Sequence, residues 1–377
     1  MALIVINLLT GTLTFIYVTV VLFFRRGWLR LPVFRSAPVT GRTKVSVLIA
    51  ARNEEEKIAF TIRDVLAQTY PAELLELIVV DDHSTDSTSQ IVQSFAAQGV
   101  ILIRLNEKEK LNSYKKKAIS EAIRVASGEL IVTTDADCRM NEDWIMTIVS
   151  CYEQNDLKML SSPVVYHEES SFFERLQTLE FLYLIGLGAS SIGNKIPSTC
   201  NGANLAYRKD VFEELGGFKG IDDLASGDDE LFLHKVASRY PDGIGFCKSC
   251  RAVVFTTAKS TLREFIRQRK RWASKSTRYK NKSIVLLGVL IWLFNCMLLL
   301  TMVAGFYDRA AWHTCLLAFA FKYLAETAFL VPVTRFARRK ELIWYLPLLT
   351  VIHTVYMIYI GLAGNSGKYV WKGRLVR

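Results

Sequence analysis

Little in this 377-residue sequence suits a domain braced by disulfides or zinc. Seven cysteines, an odd number scattered along the chain, do not make the dense framework of a small secreted fold, and a reducing compartment is the simpler reading. Cys247 and Cys250 form one C-x-x-C pair, but no second pair and no histidine-rich ligand set follows at zinc-site spacing, so the pair reads as structural. Internal repeats and low-complexity tracts are absent. The net charge of +11 comes without a basic recognition helix or an aromatic RNA-binding signature, which argues against a nucleic-acid partner. The first apolar run has no basic stretch before it and no small-residue cleavage site after it, which argues against a cleaved signal peptide.

What is present is apolar: 51% hydrophobic residues and a mean hydropathy of +0.21 are too much for a purely soluble chain. Leu3 to Phe24 is uncharged and matches the roughly 20 residues of a spanning helix. Arg25, Arg26, Arg30 and Arg35 follow it, and Arg335, Arg338, Arg339 and Lys340 follow a later apolar run. That asymmetry marks the cytoplasmic side. The expected organisation is a transmembrane helix at 1–25, a globular domain at 44–257, an amphipathic interfacial helix at 260–282, a membrane region at 284–363 and a basic tail at 364–377. The membrane region holds three apolar segments, of which two or three span. If all three did, the basic tail would lie outside, so one is expected to be re-entrant or interfacial. The candidates are the segment with Lys322 and Glu326 and the one interrupted by Pro347.

Between Lys44 and Thr257, short β-branched runs (Val45 to Ile49, Leu77 to Val80, Ile101 to Arg104, Leu130 to Thr134) alternate with helical patterns, which predicts an α/β domain on a parallel, Rossmann-like sheet. Such sheets bind ligands beyond the carboxyl ends of their strands. Polar clusters stand at those ends: Arg52 to Glu56, Asp81 to Asp86, and Asp135 to Asp137. Two carboxylates leaving a strand at i and i+2, Asp135 and Asp137, suit a hard divalent cation that bridges diphosphate oxygens. Alone, such a pair reads first as a solvated turn.

The order and spacing of VSVLIAARNEEEKI, LIVVDDHSTDSTSQIV, YKKKAISEAI and Asp135-Ala136-Asp137 resemble the family 2 glycosyltransferases of GT-A fold. The implied fold is a mixed, mostly parallel sheet with transmembrane helices at both ends of the chain. The resemblance places Ala50, Arg52 and Glu54 around a nucleoside, with Asp82 taking a base N–H and Asp81 beside it. The family more often has an aromatic residue where Arg52 stands, which leaves a cation–π contact in place of stacking. Lys115, seven residues before the small Ala122, is implied to neutralise the diphosphate, with Lys116 and Lys117 as alternatives beside it. Asp137 and Asp135 are implied on the metal, Mg or Mn, with Asp135 also near the nucleotide-sugar.

Further on, STCNGANLAYRKDVFEELGGF resembles the acceptor-proximal segment and puts Asn201, Gly202 and Asn204 near the donor sugar or acceptor. Ser226-Gly227-Asp228-Asp229-Glu230-Leu231 resembles the acidic pair that supplies the catalytic base, here Asp229 with Asp228 in reserve; capping of the next helix is compatible with that role. Gln268-Arg269-Lys270-Arg271-Trp272 resembles the Q-x-x-R-W motif of cellulose, chitin and hyaluronan synthases and implies diphosphate and acceptor roles for Gln268, Arg271 and Trp272. Trp371-Lys372-Gly373-Arg374 resembles a tail that some members fold back toward the site.

The expected protein is thus an inverting, metal-assisted transferase in the plasma (inner) membrane with a cytoplasmic catalytic domain. It would use a nucleotide-sugar, first of all a UDP-sugar, and a lipid, lipid-linked or glycan acceptor. A processive polysaccharide synthase and an inactive membrane scaffold are the alternatives.

Overall fold

The computed structural model describes the chain except for residues 36–41, 108–110, 276–278, 280, 365–368, 372–373 and 377, and describes no side chains from 369 onward. Lys372 and Gly373 of the tail motif therefore lie outside the described residues. The chain divides into two compact units: Met1–Leu29, Ser170–Ser190 and Lys259–Gly367 form one, and Arg30–Glu169, Ser191–Ala258 and Lys368–Arg377 the other.

In chain order the elements are α1 (Ala2–Arg30), β1 (Val45–Ala51), α2 (Ile58–Leu66), β2 (Leu75–Asp81), α3 (Thr88–Gln93), β3 (Ile101–Arg104), α4 (Tyr114–Val125), β4 (Leu130–Asp135), β5 (Arg139–Met140) and α5 (Trp144–Asn155). Then come β6 (Met159–Ser161), β7 (Val164–His167), α6 (Phe172–Gly193), β8 (Leu205–Arg208), α7 (Lys209–Glu214), α8 (Glu230–Arg239), β9 (Ile244–Phe246) and β10 (Val254–Thr257). The chain ends with α9 (Leu262–Ser274), α10 (Lys282–Ala304), α11 (Arg309–Phe336), α12 (Leu346–Ala363), β11 (Tyr369–Trp371) and β12 (Arg374–Val376).

In the second unit, the described residues form a seven-stranded sheet ordered β3-β2-β1-β4-β8-β6-β9. The first four strands are mutually parallel, while β8 runs antiparallel to β4 and to β6. The sheet is therefore mixed and mostly parallel, as the family resemblance implies; the α/β pattern alone predicts the parallel part. β1, β2 and β4 are buried almost throughout, which is why they read as continuous apolar runs instead of alternating ones. Gly128 lets β4 enter beside β1: a Cβ there would stand 2.5 Å from the Ser46 backbone nitrogen. The register brings Ala50 opposite Asp135, Ala51 opposite Asp81 and Asp81 opposite Arg104, so the polar clusters leave the sheet side by side. A second sheet, β5-β10-β7, had no clear signal in the sequence because its strands are short.

Among the described residues, four helical segments of the first unit are long and apolar enough to cross a membrane: Ala2–Arg30, Lys282–Ala304, Arg309–Phe336 and Lys340–Ala363. The Lys322 segment is one continuous 28-residue helix. Its charges are satisfied internally: Lys322 meets Glu326 at 2.7 Å, and Glu326 also accepts from the Tyr17 hydroxyl at 2.6 Å and the Thr350 hydroxyl at 2.8 Å. Such pairing is what an ionised group in an apolar bundle requires. Pro347 stands in the first turn of α12, where its missing N–H is harmless, so it starts that helix and does not interrupt it. Within the basic amphipathic stretch the described helix is α9, Leu262–Ser274. It begins at a Thr261-x-x-Glu264 cap, in which the Thr261 hydroxyl accepts the Glu264 N–H, and α12 packs on it through Phe265 and Tyr356.

Candidate active site

β4 delivers an acid, Asp135, at its last residue. Asp135 Oδ1 accepts from Lys115 Nζ at 2.7 Å, and the same ammonium lies 3.4 Å from Asp228 Oδ2. Burial works against the charge on Lys115, but Asp135 and Asp228 outweigh it and hold its pKa above the usual lysine value. Lys115 thus links two sequence motifs that stand more than ninety residues apart.

Asp229 is fixed at both oxygens. Oδ2 accepts the Gly202 N–H at 3.0 Å and Oδ1 the Glu230 N–H at 2.7 Å, the latter as the N-cap of α8. Gly202 lies close against the acid pair: a Cβ there would stand 3.3 Å from both Asp228 Oδ2 and Asp229 Cβ, a tight approach. Thr133 of β4 holds the Gly202 carbonyl at 2.8 Å. The loop before Gly202 is tied to α8 by Thr199 donating to Glu230 Oε2 at 2.7 Å and by His234 Nε2 against the Ser198 carbonyl at 2.8 Å. Lys115, Asp135, Gly202, Asp228 and Asp229 therefore share one cluster.

Asp137 is half-buried in the turn after β4, and Asp135 keeps 42% of its side chain exposed. The turn is held from α2, where Thr61 donates to the Ala136 and Cys138 carbonyls at 2.8 Å each. The described residues contain no cluster of three His, Cys, Asp or Glu able to cage a metal. Two carboxylates with an accessible side suit Mg or Mn, which keep open positions for phosphate oxygens and water, and do not suit a closed structural ion.

At the other strand ends, Asp81 and Asp82 are both buried. Asp81 Oδ1 accepts the Ser84 N–H at 3.0 Å, and Asp82 Oδ1 lies 3.0 Å from His83 Nδ1. Arg52 is half-buried beside these acids. Its Nη1 donates to the Asp82 and His83 carbonyls at 2.8 and 2.9 Å, joining the loops after β1 and β2. Those loops are further laced by Glu54 N to Thr88 Oγ1 at 2.8 Å and Glu55 N to Asp86 Oδ2 at 3.2 Å. Ala50, in β1, stands opposite Asp135. Asn201 caps the turn at Gly202 by accepting the Ala203 N–H at 2.9 Å.

Asn204 departs from expectation. It is 0% exposed; its amide donates to the Pro163 and Ala252 carbonyls at 2.8 and 2.7 Å, and its oxygen accepts from Trp144 Nε1 at 3.0 Å. With its hydrogen-bonding capacity spent in the core, this side chain braces the segment behind Gly202 and does not face a ligand.

The Q-x-x-R-W residues belong to the other unit. There the sequence reading missed Arg269, which is 3% exposed. Its guanidinium forks onto Glu180 of α6, with Nε to Oε1 at 3.1 Å, and Nη1 donates to Gln268 Oε1 at 2.8 Å. The Trp272 ring lies over the same guanidinium at 4.2 Å from its centroid. The Arg269–Glu180 pair thereby orients Gln268 and Trp272, while Arg271 is half-buried.

Residues 46–216 match the glycosyl transferase family 2 model. The glucosyl-dolichyl phosphate glucuronosyltransferase of Haloferax volcanii is 29% identical over 183 residues, 46% of this chain and 56% of that protein. The poly-beta-1,6-N-acetyl-D-glucosamine synthase of Staphylococcus epidermidis is 27% identical over 175 residues, 46% of this chain and 41% of that protein. The chain thus spans about half the length of these relatives. The mannosyltransferase PcManGT from Pyrobaculum calidifontis, solved in complex with GDP-Man and Mn2+, shares the fold at a TM-score of 0.53 and 20% identity, over 93% of this chain and 99% of that one.

Proposed function

The chain carries a family 2 glycosyltransferase domain at residues 46–216, and from that premise we propose that it is a membrane-anchored inverting glycosyltransferase. It moves a sugar from a nucleotide-sugar to a lipid or lipid-linked acceptor. The observation that carries the reading is the joint placement of Lys115 against Asp135 and Asp228, with Asp229 held beside them by the Gly202 N–H.

In this mechanism Asp229 takes the proton of the acceptor hydroxyl. The acceptor oxygen then attacks the anomeric carbon from the face opposite the diphosphate, the bond from that carbon to the diphosphate oxygen breaks, and the configuration inverts. Each Asp229 oxygen accepts one backbone N–H, which fixes the orientation of the carboxylate. Lys115, held protonated by its two carboxylates, supplies positive charge for the departing diphosphate. A divalent cation, held by Asp137 and Asp135, would add Lewis-acid stabilisation of the same charge. Asp81 and Asp82 serve the nucleoside, and Arg271 and Trp272 keep the diphosphate and acceptor roles that the Q-x-x-R-W resemblance implies. Four apolar helices support membrane anchoring, with the catalytic domain on the cytoplasmic face by the charge rule.

The test is nucleoside diphosphate release by the purified, membrane-reconstituted protein over UDP-, GDP- and dTDP-sugars, with Mn or Mg and with EDTA. Release from one donor that EDTA abolishes is the expected result; silence across the panel with membrane lipid extract present refutes the reading. The match to a polysaccharide synthase keeps a processive reading in play. A single discrete product separates lipid glycosylation from the high-mass ladder of a polymerase.

A further inference from the structure

We propose that Lys116 is a positioning residue of the transfer reaction, fixing the segment that carries Asp228 and Asp229 so that the base meets the acceptor hydroxyl. The inference rests on the glycosyltransferase reading above.

Lys116 follows Lys115 on α4 but belongs to the buried face of that helix, together with Ile119 and Ile123. It is 2% exposed. Its Nζ donates to the carbonyls of Ile221, Leu224 and Ser226 at 2.7, 2.7 and 2.9 Å. Three acceptors take three N–H donors, so the group is bound as the ammonium. Burial pushes its pKa below the usual lysine value, while Asp228, Asp229, Asp223 and Asp222 pull against that shift. Burying a cation is costly unless its hydrogen bonds are complete, and here they are completed by backbone alone.

The segment so gripped is irregular between α7 and α8. It turns at Gly220 and Gly227, whose φ of 83° and 85° suit glycine and strain other residues. From the other side Lys235 of α8 donates to the Gly217 and Lys219 carbonyls at 2.5 and 3.2 Å. Two lysines therefore hold the segment by its carbonyls, Lys235 at its start and Lys116 from Ile221 to Ser226. Ser226 lies two residues before Asp228, so displacing its carbonyl displaces the acid pair. Adjacent residues of α4 divide the work: Lys115 meets the Asp228 carboxylate, and Lys116 holds the backbone that presents it.

The experiment uses the full-length reconstituted protein carrying Lys116→Met, with Lys116→Gln, which retains two donors, as the milder variant. Nucleotide affinity is expected to stay within about threefold of wild type while kcat for transfer falls about 100-fold, the scale of a displacement of about 1 Å. Hydrogen exchange should rise in residues 217–230 and stay unchanged in β1, β2 and β4. Lys116→Gln should fall between wild type and Lys116→Met. A kcat within about threefold of wild type overturns the inference. So does a rise in exchange across the whole sheet, or failure of both variants to fold, either of which assigns Lys116 to folding. Wild-type protein that releases no nucleoside diphosphate refutes the underlying reading instead; an active wild type with an indifferent variant refutes this inference alone.

Discussion

Asp229→Asn separates the two jobs that one carboxylate performs. As N-cap and partner of Gly202, Asp229 accepts two backbone N–H groups, one on each oxygen. Asparagine offers one carbonyl oxygen and one NH2, so one of those N–H groups would face another donor. That loss costs about 1–2 kcal/mol of stability. The chemical cost is larger: removing a general base slows transfer by about 10²–10⁴, or about 3–5 kcal/mol of transition-state stabilisation. Calorimetric titration with donor nucleotide, thermal unfolding and single-turnover transfer read the terms apart. Donor affinity is expected within about threefold of wild type, with transfer down about a thousandfold. Asp229→Ser is the control, since serine caps helices well but is no base at neutral pH: it should regain stability and not activity. Transfer by Asp229→Asn within about tenfold of wild type would refute the assignment and pass the role to Asp228. Loss of donor binding in the same variant would refute it from the other side.

Two further outcomes follow from the packing. Asn204→Ala leaves the Trp144 N–H and the Pro163 and Ala252 carbonyls without their partner in a fully buried site; it should cost about 2–4 kcal/mol in denaturant unfolding, whereas a raised donor KM at unchanged stability would restore its expected ligand role. Glu76 titrates low: burial raises its pKa, but hydrogen bonds from Ser46, Ser127 and Gly128 together lower it below the ordinary glutamate value. Its stabilisation is therefore full above the unfolded-state pKa and lost as pH falls through the folded one, so the deficit of Glu76→Gln should be largest near neutral pH and shrink below about pH 4. A deficit that grows on acidification contradicts the sign.

The strands β1, β2 and β4 were legible because each is buried almost throughout and reads as an uninterrupted apolar run bounded by polar turns, while β3, partly exposed, was legible from its short apolar run alone. The short strands of the β5-β10-β7 sheet carry two to four residues each, too few for any pattern. Lys116 had a signal, since residues 116, 119 and 123 fall on one helical face, but a lysine at a helix start reads as solvated until the carbonyls that surround it are known. Arg269 was hidden for a similar reason. Its neighbours Gln268, Arg271 and Trp272 carry the recognisable spacing, while its partner Glu180 lies 89 residues upstream on α6.

By itself the sequence determined the kinds of group available and their order: acids after β2, after β4 and before α8, lysines at the start of α4, and apolar stretches long enough to cross a bilayer. Those are local properties, set by side-chain chemistry and by the period of burial along each element. Only the tertiary structure decided which groups meet. Strand register set Asp135 opposite Ala50, the reach of one ammonium joined Asp135 to Asp228, and closure of the loop at Gly202 fixed Asp229. It also turned Asn204 into the core and gave Lys116 its three carbonyls. Distances between residues far apart in the chain depend on how the whole sheet and its helices pack, and no short stretch of sequence records that.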